Sequence, residues 1–170
     1  MPLNVEARAQ VDDAPEVIRQ VAKVTGASPR EVGQEDVFFN VQRGRLMLRR
    51  EDDHAELIFY SKLERKEPRP SSYFRRPLSN AESTEQELAS RFGVRSRIKK
   101  RRWVFEFNGG RIHVDDLGPL GSFIEIAVSA ANEQMIPRAY AKVRRISNAV
   151  GIPDSRLVAE EYETLVRDQD

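Results

Sequence analysis

The chain has 170 residues, and its 28 Lys and Arg against 27 Asp and Glu leave a net charge of +1, a balance that excludes the single-sign field of a nucleic-acid wrapper. Zero cysteines exclude disulfides, zinc ribbons and thiol nucleophiles, and two histidines are too few for a His-rich metal site. No apolar run approaches the ~18 residues of a membrane span and Met1-Pro2-Leu3-Asn4 is no secretory leader, so the reading is one soluble, cytoplasmic domain over residues 1–170, with no membrane and no nucleic-acid partner.

In chain order, residues 4–11 alternate, with Val5, Ala7, Ala9 and Val11 on one parity and Asn4, Glu6, Arg8 and Gln10 on the other. Asp12-Asp13-Ala14-Pro15 reads as a cap with proline in the first turn, and Val17, Ile18, Val21 and Val24 at helical spacing run to a stop at Gly26. Strands are predicted at 35–41, 45–50 and 55–62, joined by the hairpin connections 42–44 and 51–54. Residues 63–80 carry Pro68, Pro70 and Pro77 among Arg69, Arg75 and Arg76. This segment is predicted to be a long basic loop, because proline cannot donate to a central ladder. Ser83 or Thr84 is the predicted cap of a helix to Phe92, closed by Gly93. Strands at 94–107 and 111–115 flank the turn Asn108-Gly109-Gly110, and another covers 122–129. Residues 132–150 read as helical and 157–166 as a short terminal segment.

One strand face after another is charged in a particular way. Arg45 and Arg49 oppose Leu46 and Leu48, and Tyr60 and Lys62 go with Ile58. Lys100 and Arg102 oppose Trp103 and Phe105, and Arg111, His113 and Asp115 oppose Ile112 and Val114. Phe123 and Glu125 oppose Ile124 and Ile126. With Glu6 and Arg8, these strands put basic side chains and a few carboxylates at period two. By the same parity Lys99 and Arg101 point outward and Trp103 belongs to an outer core, while Glu106 and Asp116 are candidates for a rim. Charges facing solvent on an open sheet would explain any one strand. The whole set, mostly arginine, fits the lumen of a closed barrel whose apolar outer face is covered by helices. Buried cations need a counter-charge, and the arginine fork matches phosphate oxygens, so the lining suggests a polyphosphate held there, with carboxylates for a hard divalent ion. Seven cations against three carboxylates would leave the empty lumen net cationic and attractive to polyanions without metal.

Asn4-Val5-Glu6-Ala7-Arg8 resembles the amino-terminal Glu-x-Glu-x-Lys signature of the CYTH superfamily, the triphosphate tunnel metalloenzymes. The segments 34–39 and 44–49, Glu56-Leu57-Ile58-Phe59-Tyr60, Pro68-Arg69-Pro70-Ser71-Ser72-Tyr73 and Lys99-Lys100-Arg101-Arg102 continue the likeness in order. Arg111-Ile112-His113-Val114-Asp115 and Leu120-Gly121-Ser122-Phe123-Ile124-Glu125 complete it, in the manner of the class IV adenylyl cyclase branch. The resemblance implies an α+β fold: a closed antiparallel eight-stranded barrel with helices packed outside. It implies a metal-dependent enzyme that binds a nucleoside triphosphate or another triphosphate with Mg²⁺ or Mn²⁺. The first activity implied is the cyclase reaction, ATP to cyclic AMP and pyrophosphate. A phosphohydrolase of the same fold and a catalytically weak nucleotide- or polyphosphate-binding protein are the alternatives. A homodimer is common in that branch.

Pattern and resemblance together assign phosphate binding to Arg8, Arg45, Arg49, Lys62, Arg69, Lys100, Arg102 and Arg111, and metal binding to Glu6, Asp115 and Glu125. His113 is read as a hydrogen-bonded structural residue. The chain departs from the family pattern at Asn4 (first signature glutamate), Arg8 (signature lysine), Met47 (a basic position), Arg69 (loop lysine) and Ala127 (second glutamate of the late Glu-x-Glu). The losses at Asn4 and Ala127 remove ligands that a two-metal site would need.

Overall fold

The computed structural model describes residues 2–62 and 65–167. Eight strands, β1 (Leu3–Val11), β2 (Arg30–Phe39), β3 (Arg45–Glu51), β4 (His54–Lys62), β5 (Arg69–Leu78), β6 (Val94–Phe107), β7 (Gly110–Asp116) and β8 (Ser122–Ala130), close into one antiparallel barrel in the order β1-β5-β4-β3-β2-β6-β7-β8. Four helices accompany it: α1 (Ala14–Thr25), α2 (Ala81–Phe92), α3 (Ile136–Ala149) and α4 (Tyr162–Arg167).

Local chemistry explains the boundaries. The Asp13 carboxylate accepts the Glu16 N–H at 3.1 Å, Pro15 fits the first turn, and Gly26 ends α1 in the left-handed region. α2 is capped by Asn80, earlier than the expected Ser83 or Thr84, because the Asn80 side chain accepts the Ser83 N–H at 2.9 Å. Asn108 and Gly109 both take positive φ, as a tight hairpin turn with right-handed twist demands. A side chain at Gly110 would meet Ile146 Cδ1 at 2.8 Å, so that glycine lets α3 approach the hairpin.

The predicted loop at 63–80 is instead largely a strand, β5, set between β1 and β4; Leu63 and Glu64 lie outside the described residues. β5 pairs with β1 only over Arg69–Ser72 and with β4 only over Ser71–Leu78. Among the described residues Pro70 pairs only with β1 and Pro77 only with β4, the one-sided kind of position at which a strand tolerates proline.

The outer face is covered unequally. Val5, Phe105, Ile112, Val114, Ile124 and Ile126 pack beneath α1 and α3 with Val21, Val143 and Ile146. A smaller cluster of Val37, Phe39 and Leu48 lies under α2, with Leu88 and Ala89 against it. A third apolar cluster, Phe38, Met47, Ile58, Ile98, Leu117 and Phe123, belongs to the inward parity and packs on Tyr162 and Leu165 of α4. The last helix thus docks on the inner wall of the barrel. Phe105, fully buried under the helices, sets the scale of the outer core: Phe105→Ala should destabilise the protein by about 3–5 kcal/mol, read as a lower urea midpoint at unchanged slope.

Candidate functional site

The inward residues surround a cavity of about 550 Å³. Of the eight residues expected to bind phosphate, Arg8, Arg49, Lys62, Lys100, Arg102 and Arg111 line it. Arg45 and Arg69 do not. Arg45 shares the parity of Arg49 but borders a separate hollow of about 90 Å³ and pairs with the fully buried Glu163, which Arg95 also holds at 2.8 Å. Arg69 is buried against the chain's own carbonyls, donating to Arg65 O at 2.6 Å and Ala159 O at 2.7 Å, and to Glu161 at 3.0 Å.

Carboxylates neutralise the cations one by one. Arg49 donates through Nε and Nη2 to the two oxygens of Asp36 (2.7 and 2.8 Å), and Lys100 donates to Asp36 Oδ2 at 2.6 Å. Arg102 grips Asp115 in the same two-pronged way at 2.6 and 2.7 Å, and the Tyr162 hydroxyl donates to Asp115 Oδ2 at 2.8 Å. Arg8 donates to Glu125 at 2.6 Å and lies 4.1 Å over the Tyr162 ring. Lys62 reaches Glu6 and Glu161, each at 2.9 Å. Arg111 faces the cavity with no ion-pair partner among the described residues.

The wall carries eight basic side chains (Arg8, Arg30, Arg49, Lys62, Arg75, Lys100, Arg102, Arg111) against seven carboxylates (Glu6, Asp36, Glu51, Glu56, Glu106, Glu125, Glu161). The large cationic excess expected, seven against three, is therefore reduced to a single charge. Asp36 was hidden because residues 37 to 39 of β2 are buried on both faces, which blurs the parity of the whole strand. Glu161 and Tyr162 were hidden because they come from a non-periodic terminal segment. Arg30, His54, Arg75 and Glu106 are exposed and mark the open mouth, while α4 stands at the opposite end. The rim reading of Glu106 holds, whereas Asp116 instead accepts the Gly118 N–H in the next turn.

These pairs shift the titration of their members. Burial opposes ionisation of Asp36, but Arg49 and Lys100 outweigh it and hold its carboxyl far below the usual range. Asp115 is lowered to about 2, burial being overcome by Arg102, and Glu161 to about 2, burial being overcome by Lys62 and Arg8. Lys100 moves the other way, down to about 8, because burial and the neighbouring Arg49 and Arg102 outweigh Asp36. His113 is also lowered, by burial and then by Arg102, so it is neutral at pH 7; its Nδ1 stands 3.6 Å from Glu125, beyond a hydrogen bond, and has no other partner among the described residues, so the hydrogen bond expected of it is not made at this nitrogen.

The divalent metal implied by resemblance meets poor terms here. Glu6 is taken by Lys62 and Ser71, Glu125 by Arg8, and Asp115 by Arg102 and Tyr162. Among the described residues no group of three or more His, Cys, Asp or Glu converges as a metal cluster. As they stand, the three carboxylates fit ion pairs and not a shared ion. Ala127 lies directly across from Glu6 in the β1–β8 register, where the family pattern has its second glutamate.

The CYTH domain matches residues 2–162 of the chain. The chain belongs to the CYTH family. No curated protein sequence matches it. Among solved structures, the CYTH barrel is similar to the PH1012 protein of Pyrococcus horikoshii OT3 (TM-score 0.82, 20% identity, 95% of this chain and 98% of that one). It is similar to a proposed adenylate cyclase of Vibrio parahaemolyticus (TM-score 0.81, 16% identity, 97% and 98%). It is also similar to a proposed adenylyl cyclase of Hippeastrum described as having a dominant triphosphatase activity (TM-score 0.69, 11% identity, 100% and 97%). At these identities the likeness establishes the fold. No helix among the described residues is long and apolar enough to cross a membrane.

Two expectations follow. Asp115 and Glu161 titrate lower in the folded CYTH barrel than in the unfolded chain, where such groups titrate near 4, so their stabilisation is complete above about pH 4.5 and is lost as pH falls to about 2. Each contributes on the order of 2–3 kcal/mol, and urea midpoints should fall steeply across that window. Ala127→Glu should set a carboxylate opposite Glu6 and create Mn²⁺ affinity, detectable as at least about a tenfold rise in binding by calorimetry.

Proposed function

We propose that the protein binds a nucleoside triphosphate in the barrel lumen and acts on its phosphate chain, with cyclisation of ATP to cyclic AMP and pyrophosphate as the first reading. The observation that carries it is the way Arg49 and Arg102 are held. Each uses Nε and Nη2 on a buried aspartate, which leaves Nη1 without a partner among the described residues on a side chain that lines the cavity. Clamped by one edge, the two guanidiniums are fixed donors that need no reorganisation when an anion arrives, and Arg111 adds a cation with no ion-pair partner among the described residues. Arg8, Lys62 and Lys100 complete the phosphate set, whereas Arg45 and Arg69 lie behind the terminal segment.

The volume supports a nucleotide over a bare phosphate chain, since about 550 Å³ lies in the usual range for drug-sized ligands. In this reading neutral His113, on the lumen wall with Arg111 and Glu125, is the group that accepts a proton from a ribose hydroxyl or from water. The second reading, phosphohydrolysis, uses the same phosphate contacts and the same proton acceptor with water as nucleophile. Metal is assigned no step, because the carboxylates are already committed to cations.

Incubation with ATP in the presence and absence of Mn²⁺, followed by separation of products, tests the reading: cyclic AMP with pyrophosphate supports the first, orthophosphate the second, and neither product with no binding refutes both. Because Lys100 titrates near 8, triphosphate affinity should fall as pH rises through that value and Lys100 loses its charge. Lys100→Arg, charged throughout, should flatten that dependence in calorimetric titrations between about pH 7 and 9.5.

A further inference from the structure

The tunnel is closed at one end by the chain itself, and the residue at the partition is acidic. Glu161 borders both the main cavity and the 90 Å³ hollow behind it, together with Tyr60 and Lys62. Its carboxylate takes contacts from three cations, Lys62 at 2.9 Å, Arg69 at 3.0 Å and Arg8 at 3.4 Å. Three basic side chains around one pair of oxygens are the environment a phosphate would take in such a barrel.

The segment that carries Glu161 is built in. The Val158 N–H donates to the Arg8 carbonyl at 2.9 Å, and Ala9 bridges Leu157. Tyr162 packs at a tilt of 53° against Phe123 with ring centres 5.1 Å apart and donates its hydroxyl to Asp115, while Leu165 packs on the inner apolar cluster. Met47, a basic position in the family pattern, belongs to that cluster, 5% exposed. The loss of a lumen cation at Met47 is thereby explained: an apolar side chain there seats the segment.

We infer that Glu161 is a specificity-determining residue, occupying the innermost phosphate position and so limiting how many phosphates of a linear chain the tunnel admits. The inference rests on the triphosphate reading above. A chain entering from the open mouth has Arg111 and the clamped Arg49 and Arg102 on the wall around it, and in this reading ends at Glu161, which repels further phosphate and holds Arg69 and Lys62 for itself. Substrates are then those whose phosphates end inside the cavity, with the remainder of the molecule toward the mouth. Longer phosphate chains gain nothing from their extra length.

The test compares linear tripolyphosphate and tetrapolyphosphate binding by calorimetry in the full chain and in Glu161→Gln. The unmodified protein should bind the two with similar affinity. In Glu161→Gln the preference for tetrapolyphosphate should rise by about tenfold, the size of one charge-assisted contact, because Arg69 and Lys62 become available. Adding Arg69→Gln should abolish that gain. Glu161→Asp, which keeps the charge but withdraws it by one methylene, should move the preference the same way by less, and it serves if the glutamine variant melts below the assay temperature. A folded Glu161→Gln protein with an unchanged preference overturns the inference and leaves the triphosphate reading standing. Failure of the unmodified protein to bind either chain, or ATP, removes the triphosphate reading and the inference with it.

Discussion

A charge inside a closed barrel has nowhere to solvate except the lumen, and this constraint governs the molecule. Leaving a guanidinium or ammonium unpaired there costs several kcal/mol, so buried lumen cations are found against carboxylates, and the pairs are made across neighbouring strands as well as within hairpins. Asp36 on β2 serves Arg49 on β3 and Lys100 on β6, Asp115 on β7 serves Arg102 on β6, and Glu125 on β8 serves Arg8 on β1. The pairs tie strand to strand from inside, while the outer cores do so from outside. Such pairs add little net stability over an apolar filling, but they fix where each guanidinium points, which is the property an anion site needs.

Much of this was legible in the sequence, and the physical reason is period two. Alternation placed Arg49, Lys100, Arg102, Arg111 and Glu125 on one face of their strands, and a closed barrel turns that face inward. Family motifs supplied the closure that alternation cannot. Failures arose where alternation ends or is masked. The prolines of β5 suggest a loop only if every strand position needs two neighbours, and Asp36 gives no parity signal because both faces of β2 are apolar beyond it. Glu161 arrives on an irregular segment with no periodic signal at all. Since Asp36 and Glu161 are two of the seven carboxylates on the lumen wall, and between them engage Arg49, Lys100, Lys62, Arg69 and Arg8, the electrostatics cannot be counted from alternation alone.

The consequence is a site that differs from the one its sequence suggests. A wall of bare cations would attract any polyanion. A wall of clamped cations offers a limited number of free N–H groups in fixed directions, and discriminates by geometry. The same pairing leaves the carboxylates assigned to metal already engaged, so the substitutions at Asn4 and Ala127 belong with the ion-pair network as much as with the missing ligands.

The registry of β1 has a consequence for how the chain is made. Its nine-residue ladder is with β8, and the Arg8–Glu125 contact spans 117 residues of sequence; its ladder with β5 records only four pairs. During synthesis the first strand to emerge must therefore wait for the last before the barrel can shut, and closure of so long a loop is slow. A nascent strand waiting that long is an exposed edge. Glu6 and Arg8 on one of its faces act as gatekeepers over that interval, discouraging pairing with another copy until the proper partner arrives.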